Sequence, residues 1–171
     1  METSAESRKI RFAQPEDAPR CADIAAAAWE RVWKAQREML GEELYQLHNP
    51  DPKGNKRQQV HNFVTEYSRW TLVTEITPAS GSPVIAGFIT FVPHPDRGIA
   101  EIGNNGVDPA FQGRGIGVAQ CREVLRVLRE MGILSVSVYT GLDEGHAPAR
   151  AMYEKAGFDR STPHVRYYLK L

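Results

Sequence analysis

Apolar and polar residues alternate with two different periods along this chain, and each period predicts one kind of element. Runs with a period of two, and short apolar runs between turn residues, predict β-strands. These runs lie at residues 9–13, 70–76, 84–92, 99–107 and 134–140, near Phe158, and at 165–171. Apolar residues three or four positions apart predict helices at residues 15–34, 36–48, 56–69, 113–131 and 147–156. The residues between 49 and 55 are typical of a loop.

The helix predicted at residues 113–131 carries a row of arginines on one face. The row consists of Arg122, Arg126 and Arg129. Glu123 and Glu130 interrupt the positive charge, which favours a solvated helix face over a nucleic-acid-binding stripe. The strands predicted before and after this helix indicate a local parallel crossover.

Length and composition favour a compact enzyme domain. With 171 residues the chain is within the size range of one domain, so we expect residues 1–171 to form a single unit. The 21 basic residues equal the 21 acidic ones, which argues against general attraction to nucleic acid or to a membrane surface. No apolar run approaches the ~20 residues of a membrane span, and the first residues are polar. We therefore expect a cytoplasmic protein.

The cysteines and histidines give no sign of a metal site. The two cysteines, Cys21 and Cys121, fall in predicted helices, and we expect them to be free, buried thiols in a reducing compartment. The five histidines show no spacing typical of metal ligands. We expect no metal.

Residues 107–117 hold the clearest functional signal, Val-Asp-Pro-Ala-Phe-Gln-Gly-Arg-Gly-Ile-Gly. Pro109 ends the preceding strand, and three glycines at alternate positions then open a helix. The first N–H groups of a helix have no partner within it, and the helix dipole adds partial positive charge. Arg114 adds a mobile cation. The segment therefore predicts a binding site for an anion such as a phosphate.

Two common nucleotide-binding motifs do not fit this segment. The dinucleotide fingerprint requires a glycine where Val118 stands, and an acidic residue on the following strand. The phosphate-binding loop of nucleotide hydrolases requires Gly-Lys-Ser/Thr, which is missing from the sequence. A further alternative is that the glycines only permit a tight strand-to-helix turn, but a turn alone does not require the flanking Gln112 and Arg114.

The segment from Gln112 to Gly117 resembles the Gln/Arg-x-x-Gly-x-Gly/Ala signature of the GCN5-related N-acetyltransferases (GNAT). In that family the loop binds the pyrophosphate of acetyl-coenzyme A (acetyl-CoA). The resemblance therefore implies cofactor-binding roles, through the loop and the strand before it, for Val107, Gln112, Gly113, Arg114, Gly115, Ile116 and Gly117.

A second segment resembles the same family. Ala149, Tyr153 and the Gly157-Phe158 pair are similar to the family pattern Asn-x-x-Ala-x-x-x-Tyr-x-x-x-Gly-Phe, so the resemblance covers approximately residues 84–158. It implies that Ala149 also lies at the cofactor. His146 stands where the family has asparagine; it either contacts the pantetheine arm in place of the asparagine or caps the helix.

The resemblance also implies the fold. We expect an α+β, three-layer GNAT fold, with a mixed, mostly antiparallel central sheet of about six or seven strands flanked by helices.

Acyl transfer from a thioester requires a neutral amine. Forming the free base at pH 7.4 costs roughly 4 kcal/mol for a lysine-like amine but about 0.5 kcal/mol or less for an α-amino group. Glu101 stands eleven residues before Gln112, where the histone-acetylating branch of the family has its catalytic glutamate. Glu101 is therefore the candidate general base, directly or through one water. The alternative is an exposed strand carboxylate paired with a cation.

Tyr153 is the candidate general acid for the leaving thiolate, in keeping with the family pattern. It follows Ala149 by one helical turn and so shares its face. The alternative is a core tyrosine packed on the sheet. Backbone N–H groups around Val107 are expected to bind the oxyanion, and a bulge at Asn104-Asn105-Gly106 would aim them outward.

The sequence does not identify the acceptor. The first helices are expected to supply its pocket, with Trp29, Trp33 and Tyr45 as an aromatic wall or as core residues. We interpret the protein as an acetyl-CoA-dependent N-acetyltransferase in which a small-molecule primary amine attacks the thioester directly. The alternatives are a noncatalytic acyl-CoA-binding regulatory module and an enzyme that acetylates protein lysines or N-termini. Members of the family often form homodimers.

Overall fold

A five-stranded sheet lies at the centre of the computed structural model, which describes residues 6–171. Its strands are β1 (Ser7–Phe12), β2 (Thr71–Thr77), β3 (Val84–His94), β4 (Ile99–Val107) and β5 (Ser135–Val138). They are arranged in chain order. The first four strands pair antiparallel, and β4 and β5 pair parallel. The sheet is therefore mixed and mostly antiparallel, as expected.

Six α-helices in the described residues flank the sheet. They are α1 (Ala18–Ala28), α2 (Glu30–Leu40), α3 (Glu42–His48), α4 (Pro52–Glu66), α5 (Ile116–Glu130) and α6 (Ala147–Ala156). The crossover from β4 through α5 to β5 is the predicted parallel connection. Within residues 6–171, no helix has the length and apolar character needed to span a membrane.

Neighbouring residues of the central strands face opposite sides of the sheet, and this alternation creates two cores. On one side, Val73 and Phe88 pack with residues of α1 and α4, among them Ile24, Val60 and Val64. On the other side, Leu72 and Ile89 pack with residues of α5 and α6, among them Cys121, Leu128 and Tyr153. The result is three layers, with the sheet in the middle.

Several helix boundaries differ from the sequence-based expectation: the helix predicted at residues 36–48 is divided at Gly41, between α2 and α3, and α4 ends at Glu66 rather than at residue 69. Residues 15–34 contribute to two α-helices rather than one, because the helix is interrupted at Trp29. The sequence has no proline or glycine at this position that would predict the interruption. The proline-rich segment expected to be a loop already contains the start of α4. The Asp51 carboxylate accepts a hydrogen bond from the Gly54 N–H (2.9 Å) and caps the helix, and Pro52 occupies a first-turn position that needs no N–H donor.

The prediction of six or seven strands is wrong: five are present in the described part of the chain. The expected strands near Phe158 and at residues 165–171 do not form. The alternation of Val165, Tyr167 and Leu169 does suit a strand, but a strand also requires a neighbouring edge for its backbone. The segment pairs with none, and these side chains stay exposed.

Candidate active site

A cleft opens where β4 and β5 separate. The two strands pair only as far as Ile102 and Val138, at which β5 ends, whereas β4 continues to Val107. Residues 103–107 therefore have no neighbouring strand on this side among residues 6–171. The cleft has a volume of about 470 Å³. Its walls come from this part of β4, the loop before α5, the junction of α1 and α2, and α6.

A bulge in β4 shapes the floor of the cleft. Asn105 pairs with Ile89, but Ile102 pairs with Phe91, so two residues of β4 lie opposite Thr90 alone. The bulged residues are Gly103 and Asn104, so the bulge overlaps the expected segment 104–106 at Asn104 alone, and Asn105 and Gly106 pair regularly with β3. The side chains of Asn104 and Asn105 contact different helices: Asn104 accepts a hydrogen bond from Lys56 on α4, and Asn105 donates one to Tyr153 on α6.

Two glycines give the loop before α5 its shape. Gly113 and Gly115 have φ angles of +76° and +73°, in the left-handed region that favours glycine. A Cβ atom added at either position would have no atom within 4 Å, so the space beside the backbone is open. No side chain caps α5, which begins at Ile116. The first N–H groups of α5 are therefore free to bind an anion.

Gly117 has a different role from the other two glycines. A Cβ atom at this position would lie 2.7 Å from the sulfur of Met152 on α6. A side chain at this position would therefore displace Met152, and the glycine permits the close approach of α5 and α6 while it also lines the cleft.

The flanking side chains of the loop face in several directions. Gln112 lines the cleft and donates a hydrogen bond to the Val107 carbonyl oxygen (3.0 Å). Arg114 does not line the cleft; it forms an exposed ion pair with Glu6 at 3.2 Å. The Ile116 side chain is buried in the core, so this residue offers a ligand its backbone.

Tyr153 lies at the inner end of the cleft and is 6% exposed. Its hydroxyl oxygen accepts a hydrogen bond from the Asn105 amide at 2.7 Å, which leaves the hydroxyl proton available for another acceptor. Burial raises the pKa of Tyr153 to about 12 and outweighs the opposing effect of the Asn105 hydrogen bond. Tyr153 is therefore both a core residue and a lining residue that keeps its proton near neutral pH.

His146 lines the cleft beside Ala149. Its Nδ1 lies 2.6 Å from the Asp143 carboxylate, and its ring meets Trp29 edge to face at 6.0 Å. The side chain of His146 does not cap α6. Burial raises the pKa of Asp143, but its hydrogen bonds and its charge interaction with His146 together lower it more, so the net pKa is below the usual value.

Glu101 is placed away from these groups. It is exposed on β4, between Val92 of β3 and Ser137 of β5, and it does not line the cleft. Over residues 6–171, no aspartate or glutamate lines the cleft; its charged residues are Arg31 and Lys155. The cleft therefore favours an anionic ligand.

The two cysteines are buried, as expected, and neither lines the cleft. Burial raises the pKa of Cys21 to about 12 and that of Cys121 to about 11. Neither thiol is therefore suited to act as a nucleophile.

A second hollow, of about 320 Å³, lies beside the cleft between α2 and α4. Trp29 lines both spaces, and Trp33 lines the hollow. Tyr45 does not belong to this wall, because it is completely buried in a separate core cluster with Trp33 and Ala26. The hollow also contains Lys56, which nothing in its neighbourhood along the chain distinguishes from the other surface lysines.

Comparison with known proteins identified a matching family model, related sequences and similar structures. A model of the acetyltransferase (GNAT) family matches residues 29–158, more than half of the chain. A mycothiol acetyltransferase of Beutenbergia cavernae is 42% identical over 73 residues, which cover 43% of this chain and 24% of that protein. The N-alpha-acetyltransferase RimI of Mycobacterium tuberculosis is 43% identical over 68 residues, 40% of each chain. The chain thus spans less than half the length of these relatives.

A solved structure shows the same fold at low sequence identity. The PaiA N-acetyltransferase of Thermoplasma acidophilum, determined in complex with coenzyme A, superposes with a TM-score of 0.63. The identity is 21%, and the superposition covers 92% of this chain and 93% of that chain.

Proposed function

Because this chain belongs to the acetyltransferase (GNAT) family, we propose that it transfers an acetyl group from acetyl-CoA to a primary amine by direct attack of the amine on the thioester. The observation that carries this proposal is the meeting of three features in one cleft. These are the edge of β4 without a partner strand, the open glycine loop at the start of α5, and the hydrogen-bonded pair of Tyr153 and Asn105.

The cleft suits the donor in shape and charge. The backbone N–H groups at the start of α5 would bind the diphosphate, with Gln112 and the open space at Gly113 and Gly115 beside them. The pantetheine arm, which contains amide groups, would lie along residues 103–107 as an added strand. Arg31 and Lys155 give the walls positive charge. His146 and Ala149 would contact the arm from the other side.

The reacting groups follow from the same placement. Backbone N–H groups near Val107 would stabilise the oxyanion of the tetrahedral intermediate. Tyr153 would then donate its hydroxyl proton toward the departing sulfur. The pKa of Tyr153, about 12, lies well above the value of about 8.5 for a thiol. Tyr153 therefore acts mainly by a hydrogen bond that strengthens as negative charge develops on the sulfur.

Glu101 remains the candidate base. Since its side chain does not line the cleft, it would take the proton of the amine through a water molecule. A cleft without a carboxylate is best suited to an amine that is already partly neutral, such as an α-amino group with a pKa of about 8. We therefore favour a small molecule with such an amine as the acceptor. A protein N-terminus is the second candidate, since one relative is an N-alpha-acetyltransferase.

The test is to incubate the protein with acetyl-CoA and a panel of amines, and to measure thiol release together with the mass of the product. We expect acetylation of α-amino compounds to exceed that of alkylamines at pH 7. Tight acetyl-CoA binding without transfer to any amine would instead indicate a noncatalytic binding module.

A further inference from the structure

Lys56 carries a positive charge that no carboxylate among residues 6–171 pairs with. Its Nζ donates hydrogen bonds to the side-chain oxygens of Gln59 (2.7 Å) and Asn104 (2.9 Å). It also lies 3.6 Å from the centre of the Trp29 ring. All three neighbours are neutral, and Lys56 forms no ion pair with any residue that the structure describes. Burial lowers the pKa of Lys56 to about 8, so the ammonium form still predominates at pH 7.

The position of Lys56 connects the hollow to the cleft. Its partner Asn104 is next to Asn105 on β4, but the two side chains contact helices on opposite faces of the sheet, Asn104 with Lys56 on α4 and Asn105 with Tyr153 on α6. Trp29 lines both the cleft and the hollow. The two spaces therefore adjoin at Trp29, and an acceptor with its amine in the cleft would reach Lys56 around this ring.

The rest of the hollow favours an anion as well. Its lining consists of aromatic rings, neutral amides, a proline and Lys56: Trp29, Trp33, Gln36, Asn49, Pro52, Asn55, Lys56 and Gln59. No carboxylate in residues 6–171 belongs to this lining. The nearby carboxylate of Asp51 is engaged in capping α4. The first turn of α4, at Pro52, presents the positive end of the helix dipole.

We propose that this hollow binds the carboxylate of the acceptor and that Lys56 is its anchor. The protein would thus select amines that also carry a carboxylate, and it would disfavour acceptors with a second ammonium group. This inference rests on the proposed acetyl transfer, whose acceptor class it narrows.

Anion binding can be measured without acetyl-CoA. We would titrate the protein with N-acetylglycine, a carboxylate, and with N-acetylglycinamide, its neutral counterpart, and follow tryptophan fluorescence. Because Trp29 and Trp33 line the hollow, we expect a saturable change with the acid and a much weaker one with the amide. Lys56→Met should weaken binding of the acid about tenfold, since a charge-assisted hydrogen bond is lost, while Lys56→Arg should retain binding.

The matched control is Lys53→Met. Lys53 lies on the same helix, is exposed, and pairs with Glu30 at 3.3 Å instead of lining the hollow. The Lys53→Met variant should bind N-acetylglycine as tightly as the wild type does. Equal binding of acid and amide, or unaltered acid binding by a folded Lys56→Met variant, would overturn the proposal. A stronger response to inorganic phosphate than to N-acetylglycine would also contradict a carboxylate site.

A kinetic comparison separates an anchor from a base. The dipeptide alanylalanine and its C-terminal amide present similar α-amino groups but differ in the carboxylate. Lys56→Met should raise KM for the dipeptide and remove its advantage over the amide, with little change in kcat. A fall in kcat for both acceptors would contradict anchoring. If no amine is acetylated while Lys56-dependent binding of the acid persists, the proposed transfer fails and the anion site stands.

Discussion

Tyr153 and Asn105 form the contact on which the proposed chemistry depends at the scale of single residues. The amide of Asn105 donates a hydrogen bond to the Tyr153 hydroxyl oxygen. The hydroxyl proton of Tyr153 therefore stays available for another acceptor. The ring packs edge to face on Phe158 with a centroid distance of 5.7 Å. This packing fixes the hydroxyl at the inner end of the cleft.

Replacing Tyr153 by phenylalanine should lower kcat by about a hundredfold, because the departing sulfur loses the hydrogen bond that stabilises its developing negative charge. Acetyl-CoA affinity should change little, since the ring and its packing remain. Steady-state thiol release gives kcat, and calorimetric titration gives the affinity. The control is Tyr139→Phe, in an exposed tyrosine that lines the same cleft. Equal turnover by the Tyr153→Phe variant would remove Tyr153 from the mechanism.

Single residues also show what the sequence could and could not predict at the site. The glycine loop was recognisable because its function depends on neighbours along the chain. The contacts between Lys56 and Asn104 and between Asn105 and Tyr153 could not be recognised in the sequence, because each joins residues 48 positions apart. Such contacts depend on the packing of α4 and α6 against opposite faces of the sheet, which a local pattern does not specify.

The loop before α5 provides a test at the scale of elements. Gly115→Glu places a carboxylate in the open space where the diphosphate is proposed to bind. We expect the Kd for acetyl-CoA to rise by about a hundredfold through charge repulsion and lost space. Calorimetric titration measures this change.

Gly132→Glu is the matched control for that variant. Gly132 follows α5 with a φ of +77°, and an added Cβ there also meets no atom within 4 Å. Both variants should therefore lose a similar amount of stability, about 1–2 kcal/mol, from left-handed backbone strain. Wild-type acetyl-CoA affinity in the Gly115→Glu variant, or an equal loss of affinity in both, would contradict the placement of the diphosphate.

A charged network joins β1, β2 and the start of α1. Arg11 lies 2.7 Å from both Asp17 and Glu75, and the Asp17 carboxylate also accepts from the Gln14 N–H. Burial raises the pKa of Asp17, but the hydrogen bonds from Arg11 and Gln14 and the positive charge of Arg11 together lower it more, so its folded-state pKa is below the usual value. A carboxylate with a depressed pKa stabilises the fold at pH values above its unfolded-state pKa. This contribution is lost as the pH falls through the folded-state pKa.

Asp17→Asn should therefore lower the free energy of unfolding by about 2 kcal/mol at pH 7, where the carboxylate is ionised. The difference from wild type should shrink below about pH 4. Urea denaturation at a series of pH values measures it. A difference that stays constant down to pH 2.5 would show that the charge of Asp17 is not the cause.

The elements themselves were predictable to different degrees. β4 and α6 have the predicted bounds, since proline, glycine or turn residues mark their ends. The bend between α1 and α2 was missed because it lacks such a residue. The start of α4 was missed because Asp51 and Pro52, read as turn residues, act as a helix cap and first turn.

The whole molecule has zero formal net charge, but its charges are unevenly distributed. The cleft and the hollow are lined by Arg31, Lys155 and Lys56 and, within the described residues, by no carboxylate. The net charge of the chain therefore does not reveal that the cleft and the hollow are positively charged. The three-layer architecture followed from the resemblance, whereas the strand count did not, because residues 165–171 have strand patterning but do not pair with an edge of the sheet.

The most direct test of the account is a crystal structure of the protein with coenzyme A. We predict that the diphosphate accepts hydrogen bonds from backbone N–H groups between Gly113 and Val118, and that the sulfur lies beside the Tyr153 hydroxyl. A diphosphate bound elsewhere, or a sulfur directed away from Tyr153, would contradict the account.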